Sequence, residues 1–376
     1  MSTQQSHLPT TSAAPRDKLS RTTWVWTFVV VGILAVIAHY ARMGAVSPRI
    51  ANPEVTGVPR PVEFLLGWSD HRWLVIQEVG TIILMASILF ACVRAWRRQP
   101  GHPYVLMTIA STAIVWQDPI MNWAPYAVYN PQLWHWPEDW PLVKMSPTVE
   151  PFIVVGYALF FFGPFFPAMA VLRRLQARAP TDAFVWRHPL ISLSALVLVM
   201  GFVFDAILEA SLVRTGLYIY SQVTPTGSLF TGTTFQFPLI WESSFVCLVM
   251  VPAAVLCYRD DTGRSQAEKL ARRLRWLPNH PAVGTFLVMF AIVNVAYFMY
   301  GGAFAAIRMS GEATAVACPY PYPEAKVYDP QGYFEREGAT GPYLEGFWST
   351  WATGQPDGRP AVNPVQSDGI CKRQPR

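Results

Sequence analysis

Seven apolar runs, each about as long as a bilayer is thick, constrain this chain more than any motif in it. A helix needs roughly 20 residues to cross the hydrocarbon. Runs of that length fall near residues 23–43, 73–95, 104–125, 151–173, 189–212, 236–257 and 283–307. The pattern predicts an all-α, polytopic membrane protein: a bundle of seven transmembrane helices over 23–307. Residues 1–22, polar and low in complexity, are expected to form a disordered cytoplasmic tail. Residues 308–376, rich in Pro, Gly and aromatics, are expected to form an irregular external tail.

Composition agrees with that class. The 376 residues are 52% hydrophobic and only 14% charged, too apolar for an ordinary soluble chain of this length. The formal net charge of +5 does not point to a nucleic-acid partner, because the basic residues cluster at the ends of apolar runs and form no basic face or RNA-binding motif. No trusted cleavage site follows the first run, which is therefore expected to stay as a membrane helix.

The basic clusters set the expected sidedness. Sixteen Lys and Arg residues lie in the N-terminal tail and in the linkers 94–103, 173–188 and 258–281, against five in the three alternate linkers: Arg49, Arg60, Arg72, Lys144 and Arg214. The positive-inside rule then puts the N-terminus in the cytoplasm and the C-terminus outside, in a cell (inner) membrane. The Pro-rich NPQLWHWPEDWP segment carries Trp134, Trp136 and Trp140, as expected of an interfacial aromatic belt. Cys92, Cys247 and Cys257 read as small apolar residues of spans. Cys318 and Cys371 share the external tail, where the sequence allows a disulfide without requiring one.

With sidedness fixed, the acids inside spans acquire a depth. Glu78, Asp118, Asp205, Glu209 and Glu242 fall in the outer half of their runs, and Glu150 stands at the outer start of the fourth, just before it. An Asp at a helix centre costs on the order of 2.5–3.5 kcal/mol on insertion scales, so such groups ordinarily face a cavity or a partner. Only Arg72 and Arg214 among the cations, with His39, His71 and His135, sit near that level, and several of the acids are expected to be neutral at pH 7. Glu78 and Glu150, closest to the interface, are the acids most expected to be simply solvated.

Spacing sharpens the picture. Asp205 and Glu209 stand one helical turn apart on one face and are placed to share a proton. In AIVWQDPIMNW, residues 113–123, Asp118 and Asn122 repeat the spacing with Pro119 between them, where the missing N–H opens the helix ladder. No ExxH or HxxxH occurs within a span, so no metal site and no cofactor is expected. Hydrogen bonding between helices is the plain alternative for any single acid; a transporter or exporter, a terpenoid-type cyclase and a metal-dependent membrane enzyme remain alternatives for the set.

Taken together, an apolar cavity with acids in two charge states suits acid–base chemistry on a lipophilic small molecule. The candidate catalytic residues are Asp118, Asp205, Glu209 and Glu242. The candidate substrate-binding residues are Glu78, Trp116, Gln117, Asn122, Trp123, Tyr126, Trp241 and Tyr297, with Tyr300 near the same depth; aromatic faces there can stabilise a cation.

Seven spans, WQDPIMNW at the end of the third, and YDPQGYFEREGATGPYLEGFWSTW in the tail resemble the AveC-like spirocyclase family of actinobacteria. The resemblance covers roughly residues 20–365. It implies a cyclase, since the family's namesake closes a dihydroxy-ketone polyketide to a spiroketal in avermectin biosynthesis. It maps no catalytic residue onto this chain and does not carry the substrate with it. On the acid–base reading Asp205 or Glu209 supplies a proton, Asp118 receives one, Gln117 and Asn122 orient oxygens, and Glu242 stabilises positive charge; these roles can be permuted.

Overall fold

The computed structural model describes residues 62–309 apart from 139, 276 and 278, with 315–317, 321–322 and positions 28, 31, 32 and 35 of the first apolar run. The expected N-terminal tail, nearly all of the first span and most of the C-terminal tail, with Cys318 and Cys371, lie outside the described residues.

Helices dominate. In chain order they are α1 (Asp70–Arg98), α2 (Pro103–Ala113), α3 (Asp118–Met121), α4 (Tyr157–Phe162), α5 (Phe165–Arg178), α6 (Phe184–Arg187), α7 (Pro189–Arg214), α8 (Leu239–Cys257), α9 (Gln266–Arg273) and α10 (Pro281–Met309). Among the described residues, five stretches are long and apolar enough to cross a membrane: His71–Arg98, Phe152–Arg178, Pro189–Arg214, Leu239–Cys257 and Pro281–Ile307.

The expected third span, 104–125, is not one helix. It breaks into α2, a 3-10 turn over Ile114–Gln117 and the four-residue α3, which starts at Asp118 with Pro119 in its first turn. Proline removes one backbone donor and fits best at a helix start, so the chain restarts there and does not continue. The fourth is also segmented: a 3-10 turn over Phe152–Gly156 leads into α4, and α5 follows Gly163 and Pro164.

Burial along α7 follows a single rule. Leu193, Val197, Gly201, Asp205, Glu209 and Val213 are buried, one every fourth residue, which is one narrow stripe of a helix. The remaining faces carry exposed apolar side chains such as Val199, Val203 and Ile207, the pattern of a helix that meets lipid. The stripe packs on α8. A Cβ at Gly201 would stand 2.7 Å from Met250 Sδ and 3.4 Å from Cys247 Sγ, so the absent side chain is what lets the two helices close. α10 packs on α8, α9 and α2. At the basic end, Ser265 and Glu268 form a capping box that starts α9.

Four short strands cap the opposite end: β1 (Ala127–Tyr129), β2 (Tyr218–Tyr220), β3 (Gln222–Val223) and β4 (Ala315–Val316). β1 and β2 pair antiparallel with Tyr129 opposite Tyr218 and Ala127 opposite Tyr220. β3 pairs with β4, so the described part of the C-terminal tail is tied down, and Tyr322 donates to the carbonyl of Gly216. Gly216 (φ +76) makes the turn from α7 into β2 against the ring of Phe64, which lies 2.6 Å from where its Cβ would be.

Candidate functional site: a cavity of carboxyls and phenols

The carboxyls sit where the strand layer meets the helices. A cavity of about 180 Å³ lies between α1, the 152–162 segment, α7, α8, α10 and the β1–β2 pair. Most of its lining is apolar. Its polar groups are Thr81 from α1, Glu209 from α7, Glu242 from α8, Asn122 after α3, and six tyrosines: Tyr129, Tyr157, Tyr218, Tyr220, Tyr297 and Tyr300.

Three buried carboxyls at the cavity, Glu209, Glu242 and Asp118, accept a hydrogen bond from a phenol. Tyr220 donates to Glu209 Oε2 at 2.8 Å, and Tyr300 donates to both oxygens of Glu242, at 2.9 and 3.1 Å. Asp118 Oδ1 accepts from Tyr157 and, at 3.3 Å, from Tyr297, while Asn122 Nδ2 donates to Oδ2 at 2.8 Å. The hydroxyls of Tyr157 and Tyr297 are 3.1 Å apart, and the rings of Tyr297 and Tyr300 stack at 5.5 Å. A continuous file of phenols therefore connects Asp118 with Glu242. The Tyr218 hydroxyl is buried beside the cavity with no hydrogen-bond partner.

Asp205 stands behind Glu209 on the α7 stripe, fully buried, with the Ser243 hydroxyl of α8 beside it. Glu242 is within electrostatic reach of both Glu209 and Asp205. No ion pair joins Asp118, Glu150, Asp205, Glu209 or Glu242 to a basic group among the described residues. Arg214, one of the two cations expected near this level, lies over the rings of Phe235 and Phe230.

Glu150 departs from the expectation of a solvated side chain. It is 3% exposed, and the carboxyl of Asp118 lies beside it. Its pKa is held well above the ordinary glutamate value, first by burial and then by the charge of neighbouring Asp118. A buried acid facing another acid keeps its proton and can donate it to the second. Its backbone carbonyl accepts from Trp136, and the His135–Pro151 bridge fixes the loop around it.

The sequence-derived candidates divide by position. Glu209, Glu242, Asn122 and Tyr297 line the cavity, and Asp118 and Asp205 lie immediately behind it. Trp116 and Gln117 turn instead to α10, where both donate to Asn294 Oδ1 at 2.7 Å. Trp123 donates to the Met145 carbonyl and Trp241 to that of Thr226. Glu78 accepts from the backbone N–H of Trp134 at 2.6 Å and so ties α1 to the loop above. Tyr126 is buried at φ +56, just before β1, with its carbonyl bound by Ser221. None of these six lines the cavity.

Four of the lining tyrosines had no place in the sequence reading: Tyr129, Tyr157, Tyr218 and Tyr220. One signal was available. Tyr218-Ile219-Tyr220 alternates two residues after Gly216, which follows a helix, and period-two spacing puts both phenols on one face of a strand.

The fold and the site define a class: an apolar helical protein with a carboxyl-and-phenol chamber enclosed between its helices and capped by strands. The chain belongs to the AveC-like spirocyclase family, whose description, "Spirocyclase AveC-like", matches residues 96–328. Membership implies a cyclase-type enzyme. No curated protein and no solved structure matched the chain.

Proposed function

We propose that this protein is a membrane-embedded, cofactor-free acid–base cyclase that closes a lipophilic dihydroxy-ketone to a spiroketal. One observation carries the reading: carboxyls from two different helices, Glu209 and Glu242, reach a single apolar cavity in which phenols hold them in place. The family membership supports the same reaction class. The seven-span topology, with the N-terminus in the cytoplasm, the C-terminal tail outside and the site in the outer half of an inner membrane, belongs to this proposal and rests on the distribution of Lys and Arg.

The reaction converts a dihydroxy-ketone to a spiroketal and one water. The first hydroxyl adds to the ketone, and its proton passes to the carbonyl oxygen to give a hemiketal. Glu209, backed by Asp205, protonates the hemiketal hydroxyl, the C–O bond breaks, and water leaves behind an oxocarbenium ion. Glu242 faces that ion as a carboxylate and lowers the cost of its charge in a dry cavity. The second hydroxyl attacks, and its proton passes through Tyr297 or Tyr157 to Asp118. Asn122 orients the substrate oxygens, and the cavity wall selects the face of attack by holding one conformer near the reacting geometry. Gln117, bound to Asn294, acts by fixing the break before Asp118.

The test is product formation by purified protein in vesicles, with Glu209→Gln, Glu242→Gln and Asp118→Asn compared with wild type. Loss of cyclisation by about a hundredfold or more in Glu209→Gln and Glu242→Gln, with normal folding, is expected for acid–base roles. Wild-type turnover in all three variants would make the chamber structural. Accumulation of unchanged substrate inside vesicles would identify a carrier.

A further inference from the structure

The cavity is too small for the molecule it is proposed to act on. At about 180 Å³ it falls below the roughly 300–1,000 Å³ usual for sites that enclose a whole drug-sized ligand. It can take the oxygenated segment that reacts; an attached apolar chain must lie elsewhere.

The structure provides one place for that chain. α1 and α7 run antiparallel and are joined near their upper ends, where Gln77 donates to Thr215 Oγ1. One turn below on α1 comes Thr81, then Leu84; in matching steps down α7 come Leu212 and Leu208. All four line the cavity and all are only half-buried, whereas Glu209, next to Leu208 on α7, and Glu242 on α8 are buried. Among the described residues no extended packing joins α1 to α7. α1 packs instead on the Phe152–Gly156 turn and on α2, and Ile82 and Ile83 beside the gap are exposed. A helix this apolar and this little buried has lipid as its other neighbour.

We infer that the slot between α1 and α7 is a lateral route from the bilayer to the carboxyls, and that the substrate is an amphiphilic chain whose reacting oxygens enter while its apolar remainder stays in the slot. The Gln77–Thr215 bond crosses the slot at its end toward the strand layer, and the exposed Ile82 and Ile83 mark its outward side. The inference rests on the proposed cyclisation for the identity of the occupant, and on geometry alone for the route.

Two measurements separate these. The first needs no activity: the full-length protein in vesicles of a phospholipid with a diazirine at mid-chain is photolysed and its adducts are mapped by mass spectrometry. Adducts on Leu84, Leu208 and the inner wall residue Ile153 are expected. Adducts confined to outward residues such as Ile83 and Ile207 would overturn the route. The second compares turnover of a long-chain and a short-chain dihydroxy-ketone by Ile88→Trp, which enlarges a half-buried side chain one turn below Leu84. A loss of about tenfold or more confined to the long-chain substrate supports the route, as does relief of the same discrimination in Ile88→Ala; equal effects on both substrates count against it. If wild-type protein cyclises neither substrate, the functional reading fails and the labelling pattern alone decides the slot.

Discussion

Tyr220 donates its phenol hydrogen to Glu209 Oε2 at 2.8 Å, joining a strand of the cap to a carboxyl on a long apolar helix. Sequence separates the two by only eleven positions, yet the turn at Gly216 sends the chain back over the end of its own helix. The contact fixes Glu209 without neutralising it, since a phenol supplies a proton donor and no charge. Tyr220→Phe is expected to lower kcat about tenfold to a hundredfold with a smaller change in KM, and to cost about 1–3 kcal/mol of stability as a hydrogen bond to an acid. Steady-state kinetics and thermal unfolding in one detergent check both; unchanged kcat would remove Tyr220 from the site.

Tyr300 and Glu242 offer a coupling test. If the phenol acts through the carboxyl it binds, Tyr300→Phe in a Glu242→Gln background adds little to the loss already caused. A double-mutant cycle on kcat/KM measures this, and additive losses would mean that the phenol meets the substrate independently.

Glu150 predicts a pH dependence with a definite sign. Burial and Asp118 raise its folded pKa well above the ordinary 4.5, so between those values the folded chain holds a proton that the unfolded chain has lost. Its contribution is complete below the unfolded value and is lost as pH rises toward the folded one. The wild-type melting temperature should therefore fall more steeply than that of Glu150→Gln as pH rises above about 5. Parallel curves would show that Glu150 does not hold that proton.

Gly201 predicts a packing failure beneath the site. Any side chain there meets Met250 and Cys247, so Gly201→Leu should destabilise by about 1–3 kcal/mol as an overpacked contact. It should also shift Asp205 and Glu209, which lie one and two turns farther along the same stripe. Met250→Ala in the same chain should restore part of the stability, as read from the unfolding midpoint in detergent.

Much of this was legible without coordinates. The apolar stretches that became the long helices, and the acids at one level within them, follow from local chemistry: hydrocarbon selects length and apolarity, and a 3.6-residue period puts Asp205 and Glu209 on one face. The break at Pro119 could be suspected from a missing donor. Its consequence could not, because where Gln117 and Trp116 turn depends on Asn294, some 180 residues away, presenting one carbonyl oxygen to both.

The sequence by itself determined that this chain is apolar and helical and that carboxyls interrupt several of its apolar runs. Only the tertiary structure decided which of them share a chamber, that Glu150 is sealed against Asp118, and that Tyr220 of a strand and Tyr157, Tyr297 and Tyr300 of helices hold the acids. The reason is physical. Hydropathy and helical period are properties of neighbours along the chain, whereas the pairing of residues 127–129 with 218–220, which brings Tyr129, Tyr218 and Tyr220 over the cavity, exists only once distant segments have met.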